Sequence, residues 1–321
     1  MPFRTMDHHQ DDGGCMCDED RPLLLTEKPR VTAKLRLVMP DSEPSRRLRA
    51  GARLDKYRLV RRLGEGGFAV VFQAHDTIED RSVALKVPDL SSETLHQSYD
   101  DVQREVRIMA GLSHPNVLPL KDARYIDGQF VMVFPLGEES LNDRLSRRMA
   151  RSTTVEYIRQ MTAAVAHAHE NKVLHRDIKP ENFILFPGNR ICLTDFGLAR
   201  NQTRRHRVSA SGTLGYIAPE QAMGKPTFRS DVFALGLIAY RMLAGVLPEY
   251  PFEPPLPSYA KFRKGLHQDF VDWVRKSIDP TPSKRFRDGV AMHNALTRIR
   301  NIITDKTTSA KSARRSTRRA A

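Results

Sequence analysis

The stretch Arg62–Phe72, RLGEGGFAVVF, places Gly64, Gly66 and Ala69 in the pattern G-x-G-x-x-G/A, a spacing that lets backbone N–H groups approach phosphate. Two chemistries use it: a dinucleotide turn that opens a helix, or a hairpin flap laid over nucleotide phosphates. The residues that follow, VVFQAHD, are β-branched and aromatic, so they predict a strand and therefore the flap. This argues against hydride transfer from a dinucleotide. Leu63, Glu65, Gly67 and Phe68 belong to the same candidate nucleotide-contacting loop. Downstream, Lys86 ends VALK inside an apolar run, where an unpaired ammonium is costly. Glu105, three residues after Val102 on the predicted inward face of a helix, can supply one carboxylate, and nucleotide phosphates the other.

The elements that must hold these groups are legible in coarse outline. YRLVRRL, AVVFQAH and SVALKVP read as short strands. A helix is predicted from about Ser98, with Val102, Val106 and Met109 on one face and Gly111 as its stop. Two more strand-like runs follow, and a seam falls near Phe134–Gly137. Beyond it the chain turns helical: Thr153 stands three before Glu156 as a predicted capping box, and Ile158, Met161, Val165 and Ala168 form a stripe. The order is a strand-rich small lobe followed by a helix-rich large one.

Composition limits the remaining choices. An apolar content of 40% suffices for a sizeable core. Cys15, Cys17 and Cys192 cannot make a disulfide framework, which points to a reducing compartment, and the opening residues lack the apolar stretch of a signal peptide. The strongest membrane-span candidate, Val232–Leu247, is short and carries Arg241, so it reads as a buried central helix. The expectation is a soluble cytoplasmic protein with no transmembrane segment. Residues 1–50 read as a leader, mostly disordered; His8, His9, Cys15 and Cys17 crowd together there, but a C-x-C pair lacks the usual zinc spacing. Val31–Val38 alternates apolar and polar residues, as a strand or docking segment would. Net charge is +14, and Lys306, Lys311, Arg314, Arg315, Arg318 and Arg319 sit in a tail, 304–321, that reads as solvated and disordered. Weak non-specific contact of that tail with nucleic acid or acidic surfaces is the secondary expectation.

VLHRDIKPENFIL, Val173–Leu185, joins His175, Arg176, Asp177, Lys179, Pro180 and Asn182 in one stretch, followed by TDFGLAR at Asp195 and GYIAPE ending at Glu220. Together these resemble the catalytic loop, metal loop and segment boundary of Ser/Thr protein kinases, over residues 54–303. The compact C-terminal part is similar to bacterial members. The resemblance implies an α+β, bilobal fold, with a five-stranded antiparallel sheet and one helix in a small lobe (54–135) and a mainly helical large lobe (136–303). It implies ATP and Mg²⁺, with Mn²⁺ as a possible substitute, and transfer of the γ-phosphoryl group to Ser or Thr of a protein, including the kinase itself. Lys86, paired with Glu105, would grip the α- and β-phosphates, Asn182 and Asp195 would hold metal, and Asp177 would orient the acceptor hydroxyl and take its proton. Lys179 and Thr213 are similar to the Ser/Thr branch.

The same resemblance places Val71 and Ala84 against the adenine, Val133 at the gatekeeper position and Phe134 to Leu136 at the hinge, where Pro135 has no N–H to give. Arg176 would pair with a phosphate on Thr203, Ser209 or Ser211 of the activation segment. Thr213 is structural, Glu220 would pair with Arg285, and Asp231 would anchor the catalytic loop. LPEYPFEPPLP departs from the family, its prolines favouring an extended path where many relatives have a docking helix. Two alternatives to the protein kinase remain: a nucleotide-binding pseudokinase scaffold and a small-molecule phosphotransferase.

Overall fold

The computed structural model describes residues 48–65, 69–89, 95–196, 213–252 and 254–304, with the side chains of 95–98 and 213–214 excepted. Gly66, Gly67, Phe68, Thr203, Ser209 and Ser211, the leader, the strand expected at Val31–Val38 and the basic tail lie outside them. The first sheet contains β1 (Arg53–Leu54), β2 (Tyr57–Glu65), β3 (Ala69–Asp76), β4 (Arg81–Pro88), β5 (Asp122–Ile126) and β6 (Gln129–Pro135). Its order is β1-β2-β3-β4-β6-β5, and every pairing is antiparallel. The expected five strands gain a sixth, the two-residue β1, because Leu54 is buried against the same apolar layer as Tyr57 and Leu59. The sheet alternates as a half-covered strand set should: Val83, Leu85, Val131 and Val133 enter one core, while Met132 and Phe134 enter another.

Helix α1 (Leu95–Gly111) separates β4 from β5 and buries Val102 and Met109. After the seam come a two-residue strand β7 (Glu139–Ser140), α2 (Leu141–Arg144) and α3 (Arg151–Glu170). The capping box expected at Thr153 is not formed: α3 starts two residues earlier, with Ala150 as N-cap and no side-chain cap. Thr153 and Glu156 carry the right spacing, but that spacing also occurs within a helix. Genuine boxes stand at Ser140 with Asp143 and at Thr227 with Ser230. Strands β8 (Phe183–Phe186) and β9 (Arg190–Leu193) join β7 in a second small sheet.

The rest is helical: α4 (Pro219–Ala222), α5 (Phe228–Ala244), α6 (Tyr259–Arg263), α7 (Gln268–Ser277) and α8 (Gly289–Thr297). The apolar stretch once weighed as a span is α5, buried nearly all round and ended by Gly245 in the left-handed region (φ 78°). No helix among the described residues is long and apolar enough to cross a membrane. The proline-rich stretch after it is not extended; Phe252 N donates to Glu249 O (2.9 Å) in one of several turns before the five-residue α6. Helices α3, α6, α7 and α8 pack around α5, and Gly236 is a point of close approach: a Cβ there would lie 2.6 Å from Ser277 Cβ on α7.

Candidate active site

Register fixes one wall of the site. Lys86 stands directly opposite Val71 on β3 and Met132 on β6, and Ala84 opposite Phe134. Directly opposed residues point to the same face, and so do residues two apart on one strand. Val71, Ala84, Lys86, Met132 and Phe134 therefore share a face, as expected for Val71 and Ala84. Val133 does not share it. It is opposite Leu85 and buried in the other core, so the wall position expected of Val133 is filled by its neighbours Met132 and Phe134. The correction follows from strand pleating, since a one-residue shift turns a side chain to the opposite face. Pro135 closes β6 opposite Val83, and Leu136 follows, half-buried.

Lys86 reaches two acids from distant parts of the chain. Its Nζ donates to Glu105 Oε1 at 2.8 Å and also bonds Asp195 Oδ1. Burial opposes the ammonium charge, but Asp195 and Glu105 together outweigh it and hold Lys86 above the ordinary lysine range. Glu105 is fully buried; burial, reinforced by the negative Asp195, raises its pKa despite Lys86. Asp195 moves the other way: burial resists, yet the Lys86 ammonium lowers its pKa. Two carboxylates thus share one cation, with Glu105 Oε2 buried and without a hydrogen-bond partner among the described residues. Asp195 has left-handed backbone (φ 64°) and a side chain 38% exposed, so it opens towards the cleft while Glu105 does not.

The loop from His175 to Asn182 is held from below. Asp231, at the start of α5, accepts from His175 N (2.8 Å) and Arg176 N (2.9 Å). His169 Nδ1 accepts from Gly289 N (2.7 Å), which leaves Nε2 to donate to the same aspartate (3.0 Å). His175 Nδ1 accepts from Asp177 N (3.3 Å), so its Nε2 donates to Thr194 O (2.9 Å), next to Asp195. Its ring meets Phe196 edge to face, centroids 4.8 Å apart. These contacts tie two motif segments to one another. Asn182 Nδ2 donates to Asp177 O (2.8 Å) and Oδ2 (3.0 Å), and Lys179 Nζ lies 2.8 Å from the same Oδ2. Asp177 Oδ1 has no hydrogen-bond or ion-pair partner among the described residues, and Asp177 lines a small pocket with Arg176, Tyr216, Ile217, Gln221 and the buried Asp231.

The donor set suits a hard divalent cation. Asp195 offers a carboxylate, and Asn182, its amide nitrogen committed to Asp177, offers an amide oxygen. Further round the loop, Arg285 donates to both oxygens of Glu220 (2.8 and 3.1 Å), and Ser230 Oγ joins Glu220 Oε1 (2.7 Å). Thr213 begins a short 3₁₀ turn, Thr213–Tyr216. Sequence reasoning missed His169 and Gln221, whose Nε2 donates to Arg176 O (2.5 Å). Neither lies in a recognisable local pattern, and their partners are 62 and 45 positions away.

The family profile described as Protein kinase domain matches residues 57–287. Similar curated proteins include probable serine/threonine-protein kinase PknB of Lactococcus lactis, 33% identical over 60% of this chain and 32% of that protein. Serine/threonine-protein kinase PknD of Mycobacterium tuberculosis is 31% identical over 81% of this chain and 42% of its own length. For PrkC of Bacillus subtilis the figures are 32%, 60% and 31%. The chain therefore spans less than half the length of these relatives. Among solved structures, the kinase domain of Mycobacterium tuberculosis PknI superposes with a TM-score of 0.59 at 25% identity, over 78% of this chain and 98% of that one. With this profile matching well over half of its residues, the chain belongs to the protein kinase family.

Proposed function

We propose that the chain is an ATP-dependent Ser/Thr protein kinase of bacterial type, working in the cytoplasm where ATP is supplied. The reading rests on one observation above the others: Asp177 is held by Asn182 and Lys179 through a single carboxylate oxygen, and the other has no partner among the described residues. In the reaction the acceptor hydroxyl oxygen bonds to the γ-phosphorus, the bond from that phosphorus to the β-phosphate oxygen breaks, and ADP leaves. Asp177 orients the hydroxyl and accepts its proton. Lys86 presents its ammonium to the α- and β-phosphates and is kept in place by Glu105. Lys179 sits where charge develops between the acceptor and the γ-phosphoryl. Mg²⁺, or Mn²⁺ in its place, would supply charge neutralisation on the phosphates, and Asn182 and Asp195 would hold it.

The site extends beyond these groups. Leu63, Gly64, Glu65, Gly66, Gly67, Phe68 and Ala69 are proposed to cover the phosphates, with Val71, Ala84 and the β6 residues against the base and Phe134 to Leu136 as hinge. Autophosphorylation at Thr203, Ser209 or Ser211, read through Arg176, is proposed to raise activity. The proposed domain covers 54–303, between a leader and a basic tail.

The test is transfer of γ-phosphate from Mg-ATP to a general acceptor protein. Parent protein should yield phosphoserine or phosphothreonine, and both Lys86→Met and Asp177→Asn should suppress it, the latter by about 10²–10⁴-fold. Nucleotide binding without transfer would leave a scaffold, and transfer only to a metabolite would leave a small-molecule phosphotransferase.

A further inference from the structure

Two basic runs far apart in sequence meet on the large lobe. RLSRRMAR, between α2 and the start of α3, carries Arg144, Arg147, Arg148 and Arg151 with no acid. KFRK, at the end of α6, carries Lys261, Arg263 and Lys264, again with no acid. Arg151 Nη2 donates to Lys261 O (2.9 Å), joining the runs across 110 positions, and the Lys261 ammonium lies over Gly245. Like charges are brought together here without mutual neutralisation. Arg147 pairs with Glu139, at the hinge end of the strip, but Arg148, Lys261, Arg263 and Lys264 are exposed and no acid pairs with them among the described residues. Arg151 has no carboxylate partner there either, and its Nη1 is buried without an acceptor. Assembling so many cations costs electrostatic energy, which a complementary anionic partner would relieve.

The strip also leads to the catalytic loop. Arg241 Nη1 donates to Tyr216 Oη (2.6 Å), and Tyr216 lines the cleft beside Asp177. The same nitrogen reaches Asn142 Oδ1 (3.4 Å) on α2, two residues before Arg144. The hydrogen bonds of Arg241 thus connect Tyr216, beside Asp177, to α2, where the first basic run begins. We propose that this strip docks an acidic segment of the protein substrate, so that acceptors carrying Glu- or Asp-rich flanks are selected. This inference rests on the protein kinase reading. Polypeptide is favoured over nucleic acid because the strip adjoins the acceptor cleft.

The experiment compares two synthetic acceptors with the same serine core, one flanked by a Glu-rich segment and the other by a Ser-Gly segment. The variant is Arg148→Glu with Arg263→Glu and Lys264→Glu, all exposed and none in the catalytic machinery. Parent protein should show a KM about tenfold lower for the Glu-rich acceptor, a preference erased by raising salt and absent in the variant. The variant should keep its kcat and its KM for the Ser-Gly acceptor. Equal KM values for both acceptors in the parent would overturn docking, as would a variant with unchanged preference. A variant that loses only affinity for an oligothymidylate probe, with its acceptor preference intact, would assign the strip to nucleic acid and overturn the proposal. No transfer to either acceptor would defeat the kinase reading instead. Direct binding of the labelled Glu-rich peptide would then still decide, retained in parent and lost in variant if the strip docks it, equal in both if it does not.

Discussion

Asp195 and Asp231 are both aspartates of the large lobe, both lowered in pKa, and they do opposite jobs. Asp231 is 1% exposed and fully subscribed: two backbone N–H groups and the His169 ring donate to its two oxygens. Burial alone would raise its pKa, but His169, His175 and these hydrogen bonds lower it. Asp195 has Lys86 on one side, a second carboxylate, Glu105, sharing that lysine, and solvent on the other. A carboxylate saturated with donors holds a scaffold, whereas one crowded by another acid and left open is available to a cation. Exposure follows the same division, 1% for the Asp231 side chain against 38% for that of Asp195, and the count of committed donors accounts for it.

The largest expected effect breaks the open member. Asp195→Asn should reduce phosphoryl transfer by on the order of 10²–10³-fold or more in kcat, since it removes charge where charge must be balanced. Its unfolding midpoint should stay level or rise, because Glu105 and Lys86 are then left as a one-to-one pair. Denaturant titration beside a kinetic assay checks both. A clear loss of stability would mean that Asp195 is a scaffold group after all.

Asp231→Asn should invert the pattern. An amide NH₂ directed at the N–H of His175 or Arg176 leaves buried donors facing each other, and breaking a buried charged network costs about 3–5 kcal/mol. The urea midpoint should fall accordingly, with a smaller loss of transfer in the fraction that remains folded. The same pair predicts a pH signature. The folded pKa of Asp231 lies below the ordinary carboxylate value of about 3.9, so its stabilisation is complete above that value. It is lost as pH falls through the lower, folded pKa. The stability gap between parent and Asp231→Asn should therefore be constant from neutral pH down to about 4 and close below it. A gap that closed between pH 7 and 5 would point to a histidine instead.

What could be read in the sequence follows the same division. Lys86, Asp177, Asn182 and Asp195 were legible because phosphoryl transfer dictates residue type and short spacing together, and Glu105 because a buried lysine demands an acid. The strand segments were legible from β-branched runs, whereas their order in the sheet was not. Val133 falls on the other face because alternation gives the faces of a strand but not which of them Lys86 shares; that comes from the pairing of Lys86 with Met132, 46 positions away. Thr153 was misread because S/T-x-x-E recurs inside helices. His169 stayed hidden, since one histidine in an apolar helix acquires meaning only when Gly289 N–H fixes its tautomer. Scaffold contacts of this kind are long-range, and no local pattern marks them.

Gln221 offers the finest cut between the two kinds of group. It holds the loop that Asp231 holds, but through one bond, its Nε2 to Arg176 O (2.5 Å). It also lines the cleft next to Asp177, so a substrate-facing role is the rival explanation. A single neutral hydrogen bond is worth about 0.5–1.5 kcal/mol net, so Gln221→Ala should lower stability by that much at most. If Gln221 only supports Arg176, whose backbone is left-handed there (φ 69°), kcat should fall a few-fold with KM for the acceptor unchanged. If it touches the acceptor, KM should rise while kcat and the unfolding midpoint stay where they are. Steady-state kinetics in acceptor concentration separates the two, and a double variant with Asp231→Asn adds the decisive reading. Supports of the same loop should couple, giving a stability loss that departs from the sum of the single ones, whereas a group that merely contacts substrate should add independently.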